Sequence, residues 1–347
     1  MASSMLELIP NTLNGTKEPV SFFIKFIEKN LLIEYALTAD VGSFLQEKYS
    51  RNILLEELKV NEDMVFSRAE TLEFGTFSHI QEYMLNGFEK NMESVMDLAK
   101  NNLQPEELFL MNGFKSMFSG NFIKLVMEWF EKNFLIIYSA NDLQTTKVLD
   151  NAKKGIVEVD DLLTVATECF GTPNKLGYID TEETGTELYS LIERGDGSGV
   201  AVRSRFFESY GTIRFANIFP LIIVALATGG TLVVDEFDAS IHPMALMNIV
   251  NIFHNDTINI NHAQLIFNTH NPIFLNGNLY RQDEIKFVER DEDTQYSELY
   301  ALSDFEAEET NEDRDYMRNY FISRYGAVRD IDFSPIFEEL LCEEEGE

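Results

Sequence analysis

Two adjacent carboxylates, Asp235 and Glu236, directly follow the short apolar run Thr231–Val234, which is entered through two glycines. The run has the length and β-rich composition of a buried central strand, and α/β proteins bind ligands at the carboxyl ends of such strands. Neighbouring side chains point apart, so Asp235 is predicted to face a metal ion on phosphate oxygens. Glu236 would then orient or deprotonate an attacking water. The alternative is that both residues cap a helix expected near Pro243.

A second group of polar residues precedes this strand. Ser209, Gly211 and Thr212 stand at the start of an apolar segment, residues 213–227, that is long enough for a buried helix. A helix start that carries a hydroxyl group and an unhindered glycine N–H is suited to bind an anion. We therefore expect an anion-binding helix start here.

A third group follows the next apolar run. Residues 264–268 are predicted to form another buried strand, which ends in Thr269, His270, Asn271 and Pro272. An imidazole at this position can hydrogen-bond a terminal phosphate or the attacking water. A lone histidine is more often structural, but this one completes a strand, helix, strand unit whose first strand carries the acidic pair. The combination favours a functional site.

Taken together, these segments resemble ABC-type ATPases. The similar segments are the signature motif at residues 208–212, the Walker B strand at 231–236, the D-loop at 238–243 and the switch histidine at 267–272. The chain is most similar to prokaryotic AAA-family ATPases of the AAA_15/AAA_21 type. These are relatives of the OLD and SMC-like ATPase heads that often occur in anti-phage and abortive-infection systems. Residues 280–285, 297–305 and 324–327 are similar to the family's C-terminal segments.

The resemblance implies an ATP hydrolase that uses ATP and Mg²⁺ and acts through nucleotide-driven dimerisation. Asp235 would bind the metal, and Glu236 and His270 would be catalytic. The resemblance also implies contacts with the nucleotide across the dimer. These contacts would be made by Ser209, Gly211, Thr212 and Asp238. The implied partners are a second copy of the chain, as a homodimer or higher homo-oligomer, and a nuclease or toxin effector.

One element of that family is missing from the printed sequence. No segment has the phosphate-loop form G-x-x-x-x-G-K-[ST]. Residues 14–17 lack the first glycine, residues 195–199 lack the lysine and are predicted to form a hairpin turn, and residues 171–175 have the wrong spacing. The sequence thus resembles a family member that begins late, through truncation, an alternative start or true loss of the Walker A region.

Composition limits the classes of function. The 347 residues carry 27 basic and 59 acidic side chains, and the formal net charge of −32 opposes a broad phosphate-neutralising surface. Nucleic acid could therefore bind only through a local patch, and DNA contact is not supported by the net charge. The two cysteines, Cys169 and Cys342, have no metal-ligand spacing, and no apolar run reaches the roughly 20 residues that cross a bilayer. We expect a cytoplasmic protein without membrane contact.

The fold class is predicted to be α/β, an ABC-ATPase-like head with a mixed sheet, an antiparallel β layer and a helical insertion. Residues 1–74 are predicted to form the N-terminal antiparallel β part, 75–172 the helical lobe, and 173–347 the C-terminal ATPase half. Helices are expected at 88–100, 106–132 and 311–323, and hairpins at 186–206 and 285–302. Aromatic residues between 109 and 134 are interpreted as core, and the acidic tail, 338–347, as disordered at its end.

Three functions remain open. The first is an ATPase switch that controls a nuclease or other toxin in an anti-phage, abortive-infection or DNA-repair-like system. The second is a catalytically impaired scaffold or half-site without its own phosphate loop. The third, a metal-dependent nuclease using Asp235, Glu236 and His270, ranks last because the chain lacks a basic surface.

Overall fold

The computed structural model describes residues 18–41, 52–137, 156–158, 161–169, 174–181, 185–294, 296–305, 315–328 and 332–338. The chain divides into two compact units, Met1–Leu135 and Ile136–Glu347. It is a mixed α/β structure that contains both parallel and antiparallel sheets. Residues 1–17, the segment 171–173 and the acidic end from 339 lie outside the described residues, so the predictions made for them stay predictions.

The first unit contains an antiparallel sheet of five strands in sequential order. Its strands are β1 (Val20–Glu28), β2 (Leu31–Asp40), β3 (Asn52–Val60), β4 (Asp63–Arg68) and β5 (Leu72–Phe74). Lys29 and Asn30 connect β1 to β2 with φ of 47° and 63°, as a two-residue hairpin turn requires. The antiparallel strands predicted within residues 1–74 are present in the described part of that range.

Helical segments pack on this sheet and share one hydrophobic core with it. They are a 3₁₀ turn (Ser78–Tyr83), α1 (Phe88–Asn101), a π-helical turn (Leu110–Phe114), α2 (Lys115–Met117) and α3 (Gly120–Lys132). The single helix predicted over 106–132 was wrong, because Ser119 is extended and its side chain caps α3 by accepting from the Phe122 N–H. The prediction of an aromatic core is confirmed, since Phe114, Phe118 and Phe122 are fully buried.

A buried ionic network fastens residues 104–110 to the sheet. The Glu56 carboxylate accepts from the backbone N–H groups of Phe109 (2.7 Å) and Leu110 (2.9 Å). Arg68 lies 3.7 Å from Glu56 and donates to three backbone carbonyls, those of Gln104, Pro105 and Glu107. Burial raises the pKa of Glu56, while these hydrogen bonds and Arg68 act in the opposite direction.

The second unit contains short sheets and the two long helices of the candidate site. Strand β6 (Phe134–Ile137) crosses the boundary between the units. The further strands are β7 (Ile156–Glu158), β8 (Lys175–Thr181), β9 (Gly185–Glu193), β10 (Gly199–Arg203), β11 (Thr231–Val234), β12 (Gln264–Phe267), β13 (Lys286–Arg290) and β14 (Ser297–Ala301). The helices are α4 (Asp161–Glu168), α5 (Ser204–Phe207), α6 (Tyr210–Thr228), α7 (Pro243–His254) and α8 (Tyr316–Phe321).

The three-stranded sheet has the order β12-β11-β6, with β11 in the centre as predicted. The prediction that the strand at 264–268 is buried was wrong, because β12 is an edge strand whose residues are exposed or half-buried. Strands β11 and β12 are parallel, pairing Thr231 with Gln264 and Val234 with Phe267, and α7 connects them. Because parallel strands end at the same edge of a sheet, the residues after Val234 and Phe267 meet. This topology brings together two of the three groups singled out in the sequence.

The hairpin predictions are confirmed in outline. Strands β9 and β10 pair around the turn at 194–198, and β13 pairs with β14. Residues 204–207, however, form α5 rather than the end of a strand. Helix α8 occupies the described part of the helix predicted at 311–323; residues 306–314 lie outside the described part of the chain.

Helix α6 is apolar enough and, at 19 residues, long enough to cross a membrane by length and composition, the one such helix in the described part of the chain. Core helices of soluble proteins meet the same criterion. Three buried polar residues, Thr212, Arg214 and Asn217, lie along α6. Since buried polar groups require hydrogen-bond partners that lipid does not offer, these residues favour a core helix.

Candidate functional site

Asp235 and Glu236 lie immediately beyond β11, and both side chains are exposed. Asn268, the first residue after β12, bridges them. Its Nδ2 donates to Asp235 Oδ1 at 2.6 Å, and its Oδ1 accepts from the Glu236 N–H. The ends of two parallel strands thus hold the acidic pair together while leaving carboxylate oxygens open to solvent.

Glu236 has a left-handed backbone, with φ of 49°. Such a conformation is unfavourable for a residue with a Cβ and persists where the surroundings fix it. Here the N–H is held by Asn268, and the carbonyl oxygen accepts from Arg214 Nη2 and from the Ala239 N–H (3.0 Å). The conformation of this residue is therefore determined from both sides of its backbone.

Arg214 projects from the first turns of α6 and is only 2% exposed. Besides the Glu236 carbonyl, its Nη2 lies 3.4 Å from the Asp235 carbonyl oxygen. Burial lowers the pKa of Arg214, whereas Glu236, Tyr210, Asp238 and Asp235 oppose that shift electrostatically. The buried cation thus offsets part of the negative charge that these acids concentrate around one turn.

The helix start predicted from Ser209, Gly211 and Thr212 is confirmed as a helix start. Ser209 is the N-cap of α6: its Oγ accepts from the Thr212 N–H at 3.1 Å and lies 2.8 Å from Thr212 Oγ1. Ser209 itself is exposed, whereas Thr212 is buried. Ser209 therefore caps its own helix, and contact with a nucleotide remains a prediction.

The structure requires a glycine at position 211 for close packing, whereas the sequence indicated only a role for its unhindered N–H. A Cβ placed on Gly211 would lie 2.1 Å from the backbone oxygen of Ser240. Ser240 also has a left-handed backbone, with φ of 66°. The first turn of α6 therefore packs directly against the loop that follows the acidic pair, and only a glycine permits that approach.

The segment before α6 is anchored by polar contacts. Ser190, in β9, donates to Glu208 Oε1 at 2.8 Å and lies 3.1 Å from the hydroxyl of Ser204. Ser190 and Ser204 are buried. The predicted hairpin therefore holds residues 204–209 in place through these contacts.

The alternative in which Asp235 and Glu236 cap the next helix was wrong. The N-cap of α7 is His242, whose Nδ1 accepts from the Met244 N–H at 3.2 Å, with Pro243 at the start of the helix. The acidic pair precedes the helix by a complete turn of the loop. Its carboxylates are thereby left for another role.

The two remaining predicted residues lie on either side of this centre. Asp238 is half-buried in the loop between β11 and α7, and electrostatically it raises the pKa of Arg214 against the effect of burial. His270 is exposed and follows Asn268 by two residues. The flanking Thr269 Oγ1 accepts from the Asn271 N–H (3.0 Å), and Asn271 caps the next 3₁₀ turn.

Sequence reasoning missed two residues of this site, Arg214 and Asn268. A signal for Arg214 was present, because it is the one charged residue within the apolar segment 213–227. A charge in an apolar helix has to be paired when the helix is buried. Asn268 was treated only as the end of a strand, although a carboxamide can both donate to a carboxylate and accept from an N–H.

The exposed acids suit magnesium in one specific way. Among the described residues, no group of three or more His, Cys, Asp or Glu side chains is arranged to hold a metal by itself. Mg²⁺ is commonly bound by one or two carboxylates while phosphate oxygens and water complete its octahedron. Asp235, exposed and oriented by Asn268, fits that mode better than an all-protein metal site.

A carboxylate pair at the carboxyl edge of a parallel α/β sheet is typical of nucleotide-binding ATPase domains. A family model described as "AAA domain, putative AbiEii toxin, Type IV TA system" matches residues 4–276. The chain belongs to this family, AAA_21, as the sequence resemblance indicated. An AAA-type domain suggests ATP binding and hydrolysis with Mg²⁺, and the family's name suggests a toxin–antitoxin or abortive-infection context. No curated protein matches the chain.

Proposed function

We propose that this chain is a subunit of an ATP-dependent dimerising switch with an ABC-type head, which controls an effector protein in an abortive-infection or related system. The observation that carries the proposal is the cluster of Asp235, Glu236 and Asn268 at the ends of two parallel strands, beside the start of α6. Family membership supports an ATPase of AAA type.

Each residue has a distinct role in this proposal. Asp235 would hold Mg²⁺, and the bound ion would neutralise charge on the phosphates. Glu236 orients the attacking water and accepts its proton, and His270 contacts the terminal phosphate or that water. Ser209, Gly211 and Thr212 contact the nucleotide of a second copy, and Asp238 lies at the same dimer interface.

The partner classes are thus a second copy of the chain and a nuclease or toxin; the charge of −32 disfavours DNA. The proposed location is the cytoplasm.

The first experiment concerns the printed chain. It lacks the phosphate-loop sequence that supplies backbone N–H donors and a lysine to the triphosphate. We therefore expect calorimetry with ATP and Mg²⁺ to show weak binding. Binding in the micromolar range or tighter would mean that other residues hold the phosphates.

The second experiment tests Glu236 in a form of the protein that carries a phosphate loop. Glu236→Gln keeps the shape of the side chain but cannot accept a proton, so turnover should fall roughly 100-fold or more. ATP binding should persist, and light scattering should detect a nucleotide-trapped dimer. Glu298→Gln, an exposed change in β14, is the matched control. Hydrolysis by Glu236→Gln at the parental rate excludes Glu236 as the catalytic carboxylate.

The third experiment separates a role across the dimer from helix capping. Ser209→Arg should abolish activity alone, because the bulky cation blocks closure over a second copy's nucleotide. Mixed with a subunit that is defective only in its phosphate loop, it should recover about half-site activity, since one intact site then forms. Ser297→Arg, at an exposed position in β14, controls for the added charge. Two variants that stay inactive in a proven heterodimer would leave only the capping role, worth about 1 kcal/mol.

A further inference from the structure

Arg214 is the largest fully buried side chain of the described residues and is absent from the roles given above. A buried guanidinium is costly unless hydrogen bonds and charges compensate it. Its Nη2 donates to the backbone carbonyl of Glu236 and approaches that of Asp235 at 3.4 Å. The Nη2 atom of this cation is therefore directed at the backbone carbonyl oxygens of the two acids.

The same helix start contacts the other end of this loop. Gly211 lies against the backbone oxygen of Ser240 so closely that a Cβ would come within 2.1 Å of it. Gly211 and Arg214 are three residues apart and so lie on one face of α6. That face contacts the loop at Asp235 and Glu236 through Arg214, and at Ser240 through Gly211.

Glu236 needs such support because its backbone is left-handed. If the carbonyl lost Arg214, the residue could relax towards an ordinary conformation, and its side chain would leave the present direction. Asn268 holds only the N–H side of the residue. The Glu236 carbonyl accepts from the Ala239 N–H within the loop and from Arg214, so Arg214 is the contact that fixes this side of the residue from α6.

We propose that Arg214 is a positioning residue: it fixes the backbone of Glu236 and makes the direction of the Glu236 carboxylate depend on the helix that begins at Ser209. This rests on the proposed function, in which Glu236 orients the attacking water. Displacement of α6 at Ser209 moves Arg214, and with it the Glu236 carbonyl. The start of α6 and the acidic pair therefore act as one mechanical unit.

The test compares Arg214→Met, which keeps length and removes all donors, with Arg214→Lys, which keeps the charge and some donors. Ile222→Ala is the matched control, because Ile222 is equally buried in α6 but lies two turns beyond Arg214. Two readouts are measured in a form of the protein that carries a phosphate loop. They are native-state hydrogen exchange at the amides of Phe237 and Ala239, which are hydrogen-bonded in this loop, and kcat and KM for Mg-ATP.

For Arg214→Met we expect exchange at these amides to rise roughly 10- to 100-fold beyond any global change. We expect kcat to fall about 10-fold or more while KM stays within about threefold, because orientation and not binding is lost. Arg214→Lys should recover part of both values. Ile222→Ala should lower global stability without a selective change in the loop or in kcat.

The proposal is overturned if Arg214→Met keeps the parental kcat. It is also overturned if the losses of kcat and of amide protection in Arg214→Met are explained by lower global stability alone, as expected for Ile222→Ala. Failure of the proposed function is distinguishable from this result. If the parental protein hydrolyses no ATP, the proposed function fails. The exchange measurement alone then decides whether Arg214 is a positioning residue. Selective loss of protection at Phe237 and Ala239 then supports the positioning role, and unchanged protection overturns it.

Discussion

Each unit contains a buried arginine that donates to backbone carbonyls, but the two arginines are compensated differently. Arg68 donates to the carbonyls of Gln104, Pro105 and Glu107 and lies 3.7 Å from Glu56, a carboxylate with no exposed surface. Arg214 donates to the Glu236 carbonyl, while the carboxylates of Asp235 and Glu236 are exposed.

This difference distinguishes a structural ionic network in the first unit from a candidate ligand-binding site in the second. In the first unit every carboxylate oxygen of Glu56 is occupied, by two backbone N–H groups and by the hydroxyl of Tyr35. A closed network of this kind has no capacity for a ligand. Around Arg214, hydrogen bonds hold the backbone of Glu236, and the carboxylates of Asp235 and Glu236 are exposed to solvent. Substitutions should therefore change stability in the first network and function in the second.

The largest effect is expected for Arg68→Met. It leaves the Glu56 carboxylate buried without its cation and should cost about 3–5 kcal/mol of the free energy of unfolding. Trp129, the single tryptophan, stacks on Phe26 at 3.9 Å in this unit, so its fluorescence during urea unfolding reports the change. Lys25→Met, which breaks the pair between the exposed Lys25 and the half-buried Glu34, should cost at most about 1 kcal/mol. If the two substitutions had equal effects on the free energy of unfolding, the buried Arg68 network would be no more important for stability than the Lys25–Glu34 pair.

Gly211→Ala comes next. The added methyl group meets the Ser240 oxygen, so the start of α6 must shift, at a cost of about 1–3 kcal/mol. Since the second unit has no tryptophan, hydrogen exchange of α6 amides is the appropriate measurement. Gly195→Ala, where a Cβ meets nothing within 4 Å, should leave exchange unchanged. If Gly211→Ala is as harmless as this control, the close packing of α6 on the loop is not tight.

A smaller effect is expected from pH in the first unit. Burial raises the pKa of Glu56 above the ordinary value of about 4.3, so the folded state holds this proton more tightly than the unfolded state. Stability from this group is complete below about pH 4.3 and is lost as pH rises through the raised pKa, by on the order of 1 kcal/mol per pH unit. Glu56→Gln should flatten that slope, as followed by Trp129 fluorescence. Parallel pH curves for the two proteins would contradict a raised pKa.

The smallest change in stability is expected for Asp235→Asn. An amide oxygen can still accept from Asn268, and one of several neighbouring negative charges is removed, so stability should stay within about 0.5 kcal/mol of the parental value. Metal-dependent activity should nevertheless be lost. Hydrogen exchange of β11 and a Mg²⁺ titration of ATPase activity measure the two quantities. A large loss of stability would place Asp235 among the structural acids, with Glu56.

The sequence by itself determined the local elements of this protein. Three local patterns each predict one element, because periodicity and turn residues act over a few neighbours. They are the apolar, strand-like run 231–234, the apolar segment 213–227 and the alternating runs around residues 195–199. The acidic pair and the helix start were found for the same reason: their types and spacing are local. The family match over residues 4–276 agrees with the resemblance those residues indicated.

Only the tertiary structure decided which residues support the site. Asn268 lies 33 residues from Asp235 in sequence, and Arg214 lies 22 residues from Glu236, so no local pattern joins them. Parallel pairing of β11 with β12 brings the first pair together, and packing of α6 on the loop brings the second. The left-handed backbone of Glu236 follows from these long-range hydrogen bonds, since its own residue type opposes that conformation.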